Sequence, residues 1–315
     1  MRSVVAIVGP TAAGKSALSI ALAHALGGEV VNADSMQLYR GMDIGTAKLT
    51  PAERDGVPHH VLDLWDVREP ASVATYQTLA RAAIDDIRAR GAMPILVGGT
   101  GLYVRAVLEE FDFPGTDPAL RSALEAELAA RGPAALHARL AVQDPLAATR
   151  ILASNGRRIV RALEVIELTG APFAAALPSP VSVYDAVQIG VDVETAALDA
   201  RIAARVEQMW ADGLVDEVRA LADRGLRDGL TAPRALGYQQ VLAFLDGAYG
   251  EDQAVADTVQ ATRRLVRRQR KWFRRDPRIT WLDGADPDVA SAALKVVAGV
   301  ASQAPASENG PPKPR

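Results

Sequence analysis

Gly9-Pro10-Thr11-Ala12-Ala13-Gly14-Lys15-Ser16 follows directly on the apolar run Val4-Val5-Ala6-Ile7-Val8. The segment fits G-x-x-x-x-G-K-[ST], with a short buried strand expected before it and a helical pattern, Ala17 to Leu26, after it. Two glycines let the backbone curl, so that successive N–H groups point into one concavity. The helix that starts there adds the positive end of its dipole. Lys15 brings a point charge, and Ser16 brings a hydroxyl that can ligate Mg²⁺. These residues predict binding of a diphosphate or triphosphate. A plain glycine turn is the competing reading. It is weakened by the scarcity of lysine, which occurs only at positions 15, 48, 271, 295 and 313. The loop says what is held and leaves open which bond is broken.

A second candidate is Asp34, at the end of the strand expected over Glu29-Val30-Val31-Asn32-Ala33. Phosphate-loop proteins usually hydrolyse a nucleotide or pass on its terminal phosphoryl group. Many hold Mg²⁺ with an acid that follows four apolar strand residues, and no convincing strand of that kind occurs here. Asp34 is therefore the candidate active-site carboxylate; its alternative role is to cap a turn through Ser35. The turn Gly98-Gly99-Thr100-Gly101 follows the apolar run Met93-Pro94-Ile95-Leu96-Val97. In parallel α/β sheets, ligands sit at the carboxyl ends of strands. The loop, Asp34 and Thr100 are thus expected to face one crevice. Arg263, Arg264, Arg267, Arg268, Arg270, Lys271, Arg274, Arg275 and Arg278 form a basic stretch with Asp276 as its one acid. Helical spacing groups Arg263, Arg267, Arg270, Lys271 and Arg274 on one side, a surface suited to a polyanion. Of the four histidines, His24, His59 and His137 form no ligand cluster by spacing, and the pair His59-His60 is read as structural.

These residues need a scaffold. The chain has 315 residues, net charge −3, 49% hydrophobic and 23% charged residues, which fits a globular protein with a sizeable core. With no cysteine, disulfides, thiolate zinc sites and cysteine nucleophiles are excluded. No long apolar span and no signal-peptide core are expected, which points to a cytoplasmic enzyme without a membrane partner. Strands are predicted at 3–8, 29–33, 60–64, 93–97, 187–192 and 279–282, and helices at 15–26, 72–90, 198–224, 235–245, 252–273 and 287–302. The pattern predicts a phosphate-loop α/β fold, a parallel sheet flanked by helices. Between its halves, 118–131, 133–142, 145–153 and 156–168 read as helices, opened by Asp117-Pro118. The expected domains are a first core part over 1–115, a helical insertion over 116–183, a core completion with a basic helix over 184–302, and a disordered tail over 303–315.

Asp34-Ser35-Met36-Gln37-Leu38-Tyr39, followed by Gly41-Met42-Asp43-Ile44-Gly45-Thr46-Ala47-Lys48, resembles the signature of the tRNA dimethylallyltransferases (isopentenyltransferases). So do Pro58-His59-His60-Val61-Leu62-Asp63, Pro94 to Tyr103, Arg161-Ala162-Leu163-Glu164-Val165, and Arg263 to Gln269 with Trp272 beyond. The likeness runs in order from about residue 4 to residue 282. It implies transfer of a dimethylallyl group from dimethylallyl diphosphate to the N6 amine of adenine 37 in tRNA. The residues agree with that chemistry. The loop and Mg²⁺ on Ser16 would stabilise charge growing on a diphosphate leaving group, and Asp34 would serve as the base that a poorly nucleophilic amine needs. The resemblance further implies that Thr100 supports the diphosphate near the reacting centre and that Arg205, in Leu-x-x-Arg-Ile-x-x-Arg, reaches it. A solvated helix face is the other reading of Arg205. Contacts to tRNA are implied for Asp34, Ser35, Met36, Gln37, Thr100, Arg121, Arg157, Arg158, Arg161, Arg234, Tyr238, Arg267, Arg268, Gln269 and Arg270. The adenine would be flipped into the crevice, the basic helix would follow the anticodon stem-loop backbone, and Tyr238 would offer a stacking ring.

Asn155-Gly156 stands where relatives often have an acid after the asparagine, and Arg157 where many have glutamine. No Cys/His zinc module follows residue 282, which points to the compact bacterial form, expected to be a monomer. Two rivals share the loop. A small-molecule kinase would need no basic helix, and an RNA-binding module that only senses a nucleotide would not need Asp34.

Overall fold

The computed structural model describes residues 4–111, 113–173 and 181–302. The tail expected over 303–315 lies outside them. The chain up to Leu108 and from Ser182 onward forms one compact unit, and Glu109–Val181 forms another.

The first unit is built on a parallel sheet of strands β1 (Val4–Val8), β2 (Gly28–Asn32), β3 (His59–His60), β4 (Met93–Gly98), β5 (Ala186–Asp192) and β6 (Ile279–Asp283). Among the described residues its order is β3-β2-β4-β1-β5-β6. Near-continuous apolar runs suit strands covered on both faces. Successive side chains point to opposite faces, so one strand feeds two cores. Val4, Ala6 and Val8 join a cluster with Val31, Ala33 and Leu96. Val5 and Ile7 join another with Val30, Ile95, Val97 and Ile189. Each fully buried Val or Ile contributes roughly 1.5–3 kcal/mol, so this short central strand is fixed firmly.

Helices α1 (Lys15–Leu26), α7 (Thr195–Ala211) and α11 (Val289–Ser302) supply Leu18, Leu22, Leu198, Ile202, Ala293 and Val297 to the second cluster. Helices α2 (Val73–Ala89), α3 (Gly101–Leu108), α8 (Leu214–Asp223) and α9 (Tyr238–Leu245) pack against the first cluster. The long helix α10 (Glu251–Phe273) gives Val266 to one and Phe273 to the other. The second unit holds α4 (Pro118–Gln143), α5 (Pro145–Arg150) and α6 (Gly156–Thr169) around Leu124, Leu136, Leu140, Ile159 and Leu163. Asp117 caps α4 by accepting from the Ala119 and Leu120 amides, as its place before a proline suggests.

Several elements depart from expectation. The strand expected over 60–64 stops at His60, because Val61 and Asp63 take φ of 61° and 55°. That turn is held by Asn32 Nδ2, which donates to the Val61 carbonyl at 3.1 Å. The helix expected over 198–224 is two helices, α7 and α8, separated at Gly213 with φ 96°. The helix expected from Ala235 begins at Tyr238, after a short 3₁₀ turn over Ala232–Arg234. By contrast, the two helices expected over 118–131 and 133–142 are present: α4 is broken between them at Gly132, whose φ of 76° and ψ of 165° are not helical. Helix α3 had no separate sequence signal beyond the turn that opens it.

Candidate active site

The phosphate loop spans the gap between β1 and α1. Gly9 has φ 138°, and a Cβ there would meet the Val191 carbonyl oxygen at 2.2 Å, so no larger residue fits. Gly14, at φ 103°, opens α1 without a side-chain cap. The amides of Ala13, Gly14, Lys15 and Ser16 donate to no acceptor among the described residues. They form a set of uncommitted donors at a helix N-terminus, the arrangement that receives phosphate oxygens. Lys15 Nζ donates to the Pro10 carbonyl at 2.7 Å.

Three charged groups meet beside this loop. Burial lowers the Lys15 ammonium to about 8, against the pull of Asp34 and with the push of Arg205. Burial raises the Asp34 carboxyl above its ordinary range, partly offset by the Met36 amide and by Lys15. Arg205 lines the cavity and is exposed; the protein packed around its guanidinium, and then Arg201, lower its pKa. Two cations face one carboxylate, so the site carries spare positive charge for an anion.

Asp34 is held in a defined pose. Its Oδ1 accepts from the Met36 amide at 2.9 Å, and its own amide donates to Asn32 Oδ1 at 2.9 Å. Asn32 also donates to the Asp34 carbonyl, and Tyr76 donates to the Asn32 carbonyl. Thr100 lies alongside: its amide reaches the Ala33 carbonyl, and its Oγ1 accepts from the Ser35 amide at 3.2 Å. Loop, Asp34 and Thr100 were expected to face one crevice; Thr11, Ala12 and Asp34 line the cavity at this end of the sheet, and Thr100 stands behind them without lining it.

A cavity of about 130 Å³ opens there, lined near the loop by Thr11, Ala12, Asp34, Met36 and Arg205. Its remaining wall includes Ile202, Val206, Met209, Leu236 and Leu265. These apolar residues are scattered over α7, α10 and the turn before α9, so no local motif announced them. Ser35 and Gln37 do not line this cavity. Gln37 instead donates to the Thr46 carbonyl at 3.1 Å and borders a smaller space with Ser16, Asn32 and His59.

Several residues expected to contact tRNA make contacts within the fold in the free protein. Gln269 is 9% exposed; its Oε1 accepts from the Thr11 amide at 3.0 Å and its Nε2 donates to the Gly99 carbonyl at 2.9 Å. It is a strut between the phosphate loop and the glycine turn. Tyr238 is fully buried with its hydroxyl on Glu217 Oε1 at 2.5 Å, so its ring offers no face to a base in this structure. Arg270 pairs with Asp192 at 2.8 Å and with Thr195 Oγ1. In the second unit, Arg121 and Arg161 both bind the buried Glu164, at 2.6 and 2.7 Å. Burial pulls the Glu164 carboxyl up, and the two guanidiniums outweigh it to leave a net lowering. Arg157, Arg158 and Arg234 are exposed.

The basic helix is two faces rather than one. Arg263, Arg270 and Arg274 turn inward to Asp199 and Asp192. Arg264, Arg267, Arg268 and Lys271 are exposed and have no ion-pair partner among the described residues. Their spacing of three and four residues puts them on one stripe.

Glu217 was not singled out in the sequence. Its carboxylate accepts from the amides of Asp43, Ile44 and Gly45 at 3.1, 2.8 and 3.3 Å, as well as from Tyr238. It thereby fixes the loop whose Gly45, Thr46 and Ala47 line the cavity. Gly45 packs on the Tyr238 ring, where a Cβ would come within 2.4 Å. Lys48 anchors the same loop from behind, on Asp43 and Asp63 at 2.5 and 2.6 Å. A glutamate in a first helical turn looks like a dipole-compensating surface charge, which hid this one. His60 serves the scaffold through Glu29 at 2.6 Å, and His59 through the Val57 carbonyl.

Fold and site together define a phosphate-loop α/β protein in which an anion cradle, a held carboxylate and an apolar cavity share one end of the sheet. Residues 37–276 match the family described as IPP transferase. The chain is 72% identical over 299 residues to a tRNA dimethylallyltransferase of Salinispora arenicola, covering 95% of this chain and 87% of that one. It is 68% identical to one of Streptomyces avermitilis, covering 91% and 92%. Among solved structures, the full-length tRNA isopentenylpyrophosphate transferase of Bacillus halodurans aligns with a TM-score of 0.71 at 44% identity, over 96% of both chains. A eukaryotic dimethylallyltransferase captured acting on tRNA aligns with a TM-score of 0.84 at 27% identity, over 98% of this chain and 82% of that one. The chain belongs to the IPP transferase family.

Proposed function

We propose that this chain transfers the dimethylallyl group of dimethylallyl diphosphate to the N6 amine of adenine 37 in tRNA. The observation that carries the reading is that Asp34 and Arg205 line one largely apolar cavity at the phosphate loop, with the Lys15 ammonium electrostatically coupled to both. A kinase needs the loop but not an apolar chamber facing its carboxylate. In the reaction, N6 attacks the allylic C1. The N6–C1 bond forms, the C1–O bond breaks, and diphosphate leaves with the bonding pair. Asp34 accepts the N6 proton; its raised pKa makes it a stronger base than an exposed aspartate. The free loop amides, Lys15 and Arg205 take up the charge that develops on the diphosphate. Thr100 keeps the Asp34–Ser35 backbone in register through the Ser35 amide.

Mg²⁺ is the implied cofactor. The Ser16 hydroxyl is on the exposed side of the loop and has no partner among the described residues, while no acidic or histidine cluster able to hold a metal occurs among them. One hydroxyl beside a diphosphate suits a magnesium ion that keeps most of its waters. Bound there, it would supply further charge neutralisation to the leaving diphosphate.

The anticodon stem-loop is the proposed RNA, met by the stripe of α10 cations that have no ion-pair partner among the described residues. The proposed setting is a monomer in the cytoplasm; no helix among the described residues is long and apolar enough to cross a membrane. The test is incubation with Mg²⁺, unmodified anticodon stem-loop RNA and labelled dimethylallyl diphosphate, beside a tube with labelled ATP and no prenyl donor. Label on adenine supports the reading. Phosphate release or transfer in the second tube alone overturns it in favour of a kinase. Asp34→Asn should keep RNA binding and lower turnover by about 10²–10⁴-fold.

A further inference from the structure

The cavity has a direction. Arg270 of α10 reaches Thr195 of α7, and Arg263 reaches Asp199, so the two helices run antiparallel. Gln269 marks the end of the cavity at the phosphate loop, through the Thr11 amide. Leu265, Thr262 and Thr258 then recede from the loop along α10, as Ile202, Val206 and Met209 do along α7. Thr258 and Met209 therefore stand together at the end away from the phosphates. Leu236 adds a second large apolar side chain to that lining. Among the lining residues charge is confined to Asp34 and Arg205; beyond them Thr46, Thr258, Thr262 and Gln269 are neutral, and Ile202, Val206, Met209, Leu236 and Leu265 give the wall an apolar surface that suits a hydrocarbon group.

Volume then limits what fits. An apolar cavity of roughly 150 Å³ holds one six-carbon ring. The cavity here, about 130 Å³, is close in size to a five-carbon group and small for a ten-carbon chain. We propose that Met209 and Leu236 close the distal end of the cavity and set the length of the prenyl group that is accepted, five carbons rather than ten. This inference rests on the prenyl-transfer reading above. Met→Ala and Leu→Ala each remove three heavy atoms, so the pair opens space for the five extra carbons of a geranyl group. Methionine is unbranched and adaptable, so its truncation is the gentler first change.

The experiment compares dimethylallyl and geranyl diphosphate as donors to unmodified anticodon stem-loop RNA, for wild type, Met209→Ala, the double variant Met209→Ala/Leu236→Ala, and Met209→Phe. The readout is the ratio of kcat/KM for the two donors, which a general loss of folded enzyme does not move. Wild type should prefer dimethylallyl by at least about 100-fold, and the double variant should shift the ratio toward geranyl by about 10–200-fold. Met209→Phe should lower kcat/KM for dimethylallyl diphosphate while RNA binding persists. Three results overturn the proposal: a wild type that uses both donors equally, an unchanged ratio in folded Ala variants, or full dimethylallyl transfer by Met209→Phe. Should the Ala variants fail to fold, the wild-type ratio and the Phe variant decide. A wild type that transfers neither donor overturns the parent reading and this one with it, and is distinguished by that double failure.

Discussion

Lys15 and Asp34 set the working pH range between them. Burial holds Lys15 at about 8 in the free protein, so the ammonium needed for the diphosphate is lost as pH rises through that value. Asp34 must be ionised to accept a proton, and its raised pKa moves the acidic limb above the range of an ordinary carboxylate. The expected kcat/KM profile for the prenyl donor is a bell, with its alkaline fall near pH 8. A profile that stays flat well past that pH removes Lys15 as the titrating group. These residues were legible in the sequence because backbone curvature, charge and hydroxyl are demanded at fixed spacing. For Gln269, Tyr238 and Arg270 the positions were legible and the partners within the fold were not. Whether a polar side chain meets solvent or a buried partner depends on Thr11, Gly99, Glu217 and Asp192, all distant in sequence.

At the scale of elements, the loop from Asp43 to Lys48 shows how a site wall is kept still without regular structure. Glu217 collects three of its amides and the Tyr238 hydroxyl, while Gln37 and Lys48 hold its other side. Glu217→Gln preserves shape but places an amide NH₂ where only acceptors serve, and it trades a charged acceptor for a neutral one. The expected outcome is a rise in KM for the prenyl donor of about 10-fold or more, equivalent to roughly 1.5 kcal/mol, with a smaller fall in kcat. Glu217→Asp should recover part of the loss. An unchanged KM in folded Glu217→Gln would show that the loop keeps its place without the carboxylate. The regular elements were read well where a single period dominates, as in β1, α1 and α10. They were misread where long-range contacts overrule the local pattern, as at Val61 and Asp63, whose left-handed turn is held by Asn32 and Lys48.

Across the whole molecule, a net charge of −3 coexists with a bare cationic stripe on α10, so RNA attraction depends on arrangement rather than total. The split of that helix makes a sharp prediction. Replacing Arg264, Arg267, Arg268 and Lys271 by glutamine removes charges that no described acid engages. RNA affinity should fall, and the slope of log affinity against log salt should flatten by about 3 if each group meets one phosphate. Arg270→Gln should behave differently. Its guanidinium neutralises Asp192, which is 9% exposed and is left with Arg274, so the cost falls on thermal stability while the salt slope changes by less than about 1. Equal flattening from Arg270→Gln and from a single stripe residue would mean that Arg270 leaves Asp192 for the RNA when it binds. Charge count along the sequence could not separate the two groups, since helical phase places Arg267 and Arg270 only one turn apart. The acids at 192 and 199, carried in by β5 and α7, decide which arginines are already engaged. The interaction surface is thus set by packing between distant segments, and the RNA is left the cations that the fold does not use.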